Sequence, residues 1–151
     1  MTTNAAVRNA ARFLKVEAAR ARRLQDATPA LLRRLEMQEE CGVFGVIGTT
    51  DAAALTALGL HALQHRGQEG AGIASYDAAA NVFHTERRLG LVAENFSDAD
   101  TLAALKGAAA IGHTRYSTAG GSNACNAQPI IVYDRSNGVG ITLAHNGNLT
   151  N

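Results

Sequence analysis

At Cys41 the chain changes character, and the change limits what it can fold into. Residues 1–40 are charged and rich in Ala and Arg, whereas Gly42-Val43-Phe44-Gly45-Val46-Ile47-Gly48 is an apolar run that reads as a buried strand. Charge divides at the same place. Residues 1–40 carry eight basic and five acidic groups, net +3, and residues 41–151 carry six basic and eight acidic groups, net −2. The division predicts a helical, propeptide-like leader over 1–40 and a domain over 41–151. A cysteine that opens a strand directly after Glu39-Glu40 suits a nucleophile exposed by cutting the chain. A cut between Glu40 and Cys41 would leave a new α-amine, of ordinary pKa near 8, beside its own thiol. That amine can take the thiol proton, as in enzymes that pair a nucleophile with an N-terminal amine. The plain alternative is a small buried core residue.

Within the leader, Val7, Ala10, Leu14, Ala18 and Ala21 recur at helical spacing across 5–24, with most Arg and Lys elsewhere on the wheel. Thr28-Pro29 has the form of a cap and first position for a second short helix through Leu31, Leu32 and Leu35. Three readings compete for this segment. A basic arm for nucleic acid or membrane is diluted by Glu17 and Asp26, and Phe13 is its one aromatic residue. An organelle transit peptide fits the Arg and Ala but not the lack of Ser in 1–40. The third is a dispensable extension, since Met37 stands four residues before Cys41 and offers another start.

Composition excludes several classes. Hydrophobic residues make up 46% of the chain and charged residues 18%, which is globular rather than disordered. Two cysteines, Cys41 and Cys125, make no disulfide framework, and no secretory signal is evident. No apolar run approaches the roughly 18 residues of a membrane span. The expectation is a soluble cytoplasmic protein without membrane or nucleic-acid partners. Asp51 can cap a helix over 52–65, followed by strands over 73–76 and 81–85. Asp98 or Thr101 can start a short helix through Leu102 and Leu105, and 109–113, 130–133 and 139–144 have strand length. Short strands in succession with few helices between them predict an α+β fold, antiparallel sheet covered by helices.

Four constellations can carry chemistry. The glycine-rich run over 67–72 follows a helix, the reverse of a phosphate loop, and more simply lets backbone approach something closely, the Cys41 thiol being one candidate. His61 and His65 have a spacing that a helical zinc site can use, but no glutamate lies between them and no third ligand is evident, so no metal site is assigned. Arg115 stands among hydroxyls and glycines in His113-Thr114-Arg115-Tyr116-Ser117, where its planar fork can hold an α-carboxylate; a solvated loop arginine is the plain alternative. His145-Asn146-Gly147-Asn148 is a hairpin signal, and its Asn amide and Gly N–H are also the donors an oxyanion hole needs. Cys125, before the Asn126-Ala127-Gln128-Pro129 turn, reads as structural.

Five runs taken together resemble one family: Glu40-Cys41-Gly42-Val43-Phe44-Gly45, Leu63-Gln64-His65-Arg66-Gly67-Gln68-Glu69-Gly70-Ala71-Gly72, Gly112 to Ser117, Asn126-Ala127-Gln128-Pro129, and His145-Asn146-Gly147-Asn148-Leu149. In unbroken order over nearly all of 40–151, they are similar to the glutaminase domain of amidophosphoribosyltransferases, which are class II glutamine amidotransferases. The Gln-His-Arg-Gly-Gln-Glu-Gly-Ala-Gly stretch sets the chain apart from relatives of glucosamine-6-phosphate synthase, where Tyr-Arg-Gly-Tyr-Asp is expected. The resemblance implies an N-terminal-nucleophile αββα sandwich and release of ammonia from glutamine. It gives Cys41 the role of nucleophile, Asn146 and Gly147 the oxyanion hole, Arg115 the substrate carboxylate, and Arg66 the orientation of the nucleophile's terminus. It further implies phosphoribosyl pyrophosphate as acceptor and Mg²⁺ on a phosphoribosyltransferase domain outside this chain. No cofactor is implied within these 151 residues, and the whole enzyme is expected to be a homo-oligomer. The family's domain continues past position 151, so the chain is expected to be part of a longer enzyme, incomplete at its C-terminus and poorly soluble alone. Two alternatives stay open: another class II amidotransferase, and a catalytically silent scaffold in which the leader stays uncut.

Overall fold

The computed structural model describes residues 4–27, 41–116, 126–134, 136 and 138–147. Its longest element is helix α1, Ala5–Ala27. Asn4 begins it, its side-chain carbonyl accepting from the Ala6 N–H at 3.1 Å, as an N-cap should. After Cys41 come strand β1 (Gly42–Ile47), helix α2 (Ala52–Ala62), a single 3₁₀ turn (Gln64–Arg66), and the hairpin of β2 (Gly70–Asp77) and β3 (Val82–Leu89). Two short helices follow, α3 (Val92–Asn95) and α4 (Ala99–Ala104), then β4 (Ala109–Arg115), β5 (Ile130–Tyr133) and β6 (Gly140–Leu143).

Four strands form one antiparallel sheet in the order β1-β4-β2-β3, and β5 and β6 form a separate ribbon. Strand alternation gives the sheet two unlike faces. On one face Ala71, Ile73 and Ala110 meet Ala53, Ala57 and Leu60 of α2 and Val92, Phe96 and Leu102 of the α3–α4 segment in a single buried core. The ribbon lies across the other face, where Tyr133 packs against Phe83 and its hydroxyl accepts from the Phe83 N–H at 3.2 Å. Among the described residues the layering is helix, sheet, ribbon, in keeping with the α+β expectation.

Several local expectations are corrected. β1 is an edge strand rather than a buried one: Ile47 is 85% exposed and Phe44 also reaches solvent. Helix α2 stops at Ala62 and tightens into the 3₁₀ turn instead of continuing to 65. Asp51 sits at its N-cap position without making a cap bond; its carboxylate accepts instead from the Asn4 side chain. Asp98 does cap α4, accepting from the Thr101 N–H and hydroxyl, and the hydroxyl bond above all holds its carboxyl below the usual range. Helix α3 was not foreseen.

The leader's amphipathic helix is present as α1, and it buries Val7, Ala10, Ala11, Leu14 and Ala18 in the same core as the domain, with Leu14 0% exposed. It packs on α2, α3 and α4 together. The second leader helix expected near 29–35, the 117–121 loop and Cys125 lie outside the described residues. Among the described residues β1 and β3 are the edges of the sheet, and Ile130, Val132, Ile141 and Leu143 expose an apolar outer face on the ribbon. Among the described residues no helix is long and apolar enough to cross a membrane.

Candidate functional site

The site is assembled at the end of the sheet where β1 begins and β4 finishes. The last register pair is Gly42 with Thr114, and the Gly42 N–H donates to the Thr114 hydroxyl at 3.1 Å. One residue back, Cys41 stands level with Arg115 and, by strand alternation, on the ribbon side of the sheet. Among the described residues its thiol is held by backbone. The Tyr116 N–H donates to Sγ at 3.4 Å, and the thiol donates to the Tyr116 carbonyl at 3.6 Å. The residue is half-buried.

Arg66 reaches this point from the 3₁₀ turn, its Nε donating to the Cys41 carbonyl at 3.3 Å. The turn is itself braced: the Gln64 side chain donates to the Gly67 carbonyl and accepts from the Val92 N–H. Gly67 lies directly on β4, where a Cβ would sit 2.7 Å from the Thr114 carbonyl carbon and 2.8 Å from that of Arg115. The close approach expected of the glycine-rich run is therefore real, and it is to the backbone of the strand that holds the thiol. Gly67→Ala must push the 3₁₀ turn off β4, at a cost of roughly 1–3 kcal/mol. A urea midpoint unchanged from the parent chain would contradict that.

Arg115 is 7% exposed, and the Glu69 N–H donates to its carbonyl at 3.1 Å. Its planar guanidinium has the fork geometry that matches a carboxylate. Asn146 and Gly147 lie exposed in a turn after β6, where Gly147 adopts a φ of 143° that favours glycine. Their connection to the thiol end is indirect. The His113 Nε2 donates to the His145 carbonyl at 3.1 Å, and the His145 N–H donates to Gln128 Oε1 at 2.7 Å. The turn is thus tied to β4 two residues from Arg115.

Sequence reasoning missed His113 and Gln128 as the residues that tie this turn to the sheet. Both stand inside the quoted motifs, but their role appears only once the ribbon lies across the sheet. His113 is fully buried, and burial pulls its pKa down to about 4, helped by the charges of His145 and Arg115 and opposed by the His145 carbonyl. It is a neutral imidazole with its proton on Nε2. Among the described residues its buried Nδ1 has no hydrogen-bond partner. His61 and His65 do not form a pair: His61 faces Glu17 and the edge of Phe13 on α1, while His65 is exposed. Among the described residues no three His, Cys, Asp or Glu side chains gather as metal ligands would.

No protein-family model matches the chain. It is 56% identical over 115 residues to an amidophosphoribosyltransferase of Rhizobium etli, covering 76% of this chain and 22% of that protein. It is 49% identical over 115 residues to the amidophosphoribosyltransferase of Bacillus subtilis, covering 76% of this chain and 23% of that one. The solved structure of glutamine phosphoribosylpyrophosphate amidotransferase from B. subtilis, complexed with ADP and GMP, superposes with a TM-score of 0.61. It shares 44% identity over 71% of this chain and 22% of its own. The chain spans about a fifth of the length of these relatives.

Proposed function

The chain is a relative of the amidophosphoribosyltransferases across three quarters of its length, and on that footing we propose that it is the ammonia-releasing part of such an enzyme. The observation that carries the reading is the placement of Cys41. It opens β1 with its thiol gripped by the Tyr116 backbone and its carbonyl gripped by Arg66. That is how a terminal nucleophile needs to be held: the sulfur is positioned, and the residue's own backbone is fixed so that a freed amine points back at it.

Glutamine then binds with its α-carboxylate on Arg115. The Cys41 amine takes the thiol proton, and Sγ attacks the side-chain amide carbon. The negative oxygen that develops is received by the Asn146 amide and the Gly147 N–H. Collapse of the tetrahedral intermediate passes the proton to the leaving nitrogen and releases ammonia, leaving a glutamyl thioester on Sγ. Water, activated by the same amine, hydrolyses the thioester to glutamate. Ammonia is consumed by phosphoribosyl pyrophosphate on the portion of the relatives that this chain does not span, giving 5-phosphoribosylamine, the entry to purine synthesis. Mg²⁺ belongs to that portion, and no residue of this chain is assigned to it. We place the reaction in the cytoplasm and the whole enzyme in a homo-oligomer.

Two measurements on the full natural polypeptide test the reading: its intact mass and its release of ammonia from glutamine. A chain starting at Cys41 that releases ammonia is expected. A chain that keeps Glu40 and releases none would return the silent scaffold to first place. Arg115→Lys keeps the charge and loses the fork. The KM for glutamine should rise about tenfold or more while kcat changes less, because charged hydrogen bonds contribute about 1.5–3 kcal/mol. An unchanged KM would remove Arg115 from the substrate site.

A further inference from the structure

Helix α1 belongs to the part that cleavage before Cys41 would remove, yet it is packed as a core element. Its apolar stripe of Val7, Ala10, Ala11, Leu14 and Ala18 is buried against the same cluster as Phe96, Leu102 and Leu105. Lifting the helix away would open Val92, Phe96 and Leu102, each now at most 1% exposed, toward solvent. Polar contacts fix its register at both ends and in the middle. Asn4 donates to Asp51 near the start of α2, Glu17 lies 3.8 Å from His61, and Arg22 Nε donates to Glu94 of α3 at 3.2 Å. Phe13 completes the middle contact edge-on to His61, with ring centroids 5.6 Å apart.

None of these contacts involves the bond to be cut. Residues 28–40 separate the last residue of α1 from Cys41. Hydrolysis of the Glu40-Cys41 bond takes up one water and leaves a carboxylate on Glu40 and an amine on Cys41, with α1 untouched. The helix is long and rich in Ala and Arg, so it holds much of its helical form unaided and loses little freedom on docking. We propose that the excised leader stays bound through α1 in the groove of α2, α3 and α4, so that the mature enzyme is a complex of two chains. The inference rests on the cleavage proposed above. The groove is a binding site whose partner is the protein's own N-terminal helix, and cutting the tether turns an intramolecular contact into a concentration-dependent one.

The experiment is native size-exclusion chromatography of the full polypeptide after processing, with both chains identified by mass. The leader peptide should co-elute with the chain that starts at Cys41 in about one-to-one ratio and separate from it in denaturant. A processed chain that elutes alone with a cooperative melt overturns this inference and leaves the cleavage reading intact. An unprocessed chain overturns both readings together. Placing a specific protease site within 28–40 and cutting it in vitro tests the groove independently of natural processing, and loss of the peptide there also overturns the inference. Arg22→Glu sets like charges against Glu94 without touching the buried stripe, and should release the peptide several-fold faster at low salt. Release at the parent rate would count against docking in this register.

Discussion

Replacing Cys41 with alanine should abolish ammonia release from glutamine and leave the fold standing. Losses on the order of 10⁴- to 10⁶-fold are typical when a covalent nucleophile is removed, the remainder coming from binding and the oxyanion donors. The fold should survive because, among the described residues, the thiol's hydrogen bonds are two long ones to the Tyr116 backbone. Neither is a strong bond, and the Tyr116 groups can turn to water, so the melting temperature should move by no more than a few degrees. Cys41→Ser should fall nearly as far in rate, since an alcohol is a far weaker nucleophile than a thiol at neutral pH. The decisive comparison uses the full polypeptide with ammonium salt in place of glutamine. Synthesis from free ammonia should persist in both variants, because the defect lies in producing ammonia rather than consuming it. Retained glutamine-dependent activity in Cys41→Ala would end the nucleophile assignment.

What could be read from the sequence was chemistry confined to a few neighbouring residues. Cys41 after two glutamates, Arg115 among hydroxyls and the Asn146-Gly147 turn each announce a kind of reaction without any knowledge of the fold. The α+β class followed from short apolar runs interrupted by turns. What could not be read was anything decided by which surface another element chose. An apolar run such as 42–48 says that a strand is stable, but not that it ends up at an edge with Ile47 in solvent. Asp51 has good capping chemistry, and a partner from a distant segment, Asn4, takes its carboxylate instead. Helix α3 is a single turn of four residues, too short for helical periodicity to register. The periodicity of α1 was plain, yet an amphipathic stripe does not say whether it meets a membrane, a partner or its own core. Only the matching stripe over α2, α3 and α4 answers that.

The stability of the protein should fall as pH is lowered from 6.5 toward 4, and His113 should account for a separable part of the fall. In the unfolded chain this imidazole takes up a proton near pH 6.5, while in the fold burial holds the pKa down to about 4. The unfolded state therefore binds more protons within that window, and acid favours unfolding. The contribution is fully present above pH 6.5 and is lost as pH falls toward 4, amounting to roughly 3 kcal/mol. Arg115 and the ring of His145 face the same imidazole, and their charges act in the same direction as burial. His113→Gln offers a clean comparison, since its amide can donate to the His145 carbonyl and does not titrate. Melting temperatures of parent and variant should converge from neutral pH downward, the variant losing less over pH 6.5 to 4. Curves that stay parallel through this window would mean that His113 opens to solvent in the native state. The consequence reaches the site because the same side chain ties the Asn146-Gly147 turn to β4. Acid that destabilises the fold around the buried imidazole loosens the seat of that turn, and ammonia release should decline as pH falls from 6.5 toward 4, by less in His113→Gln.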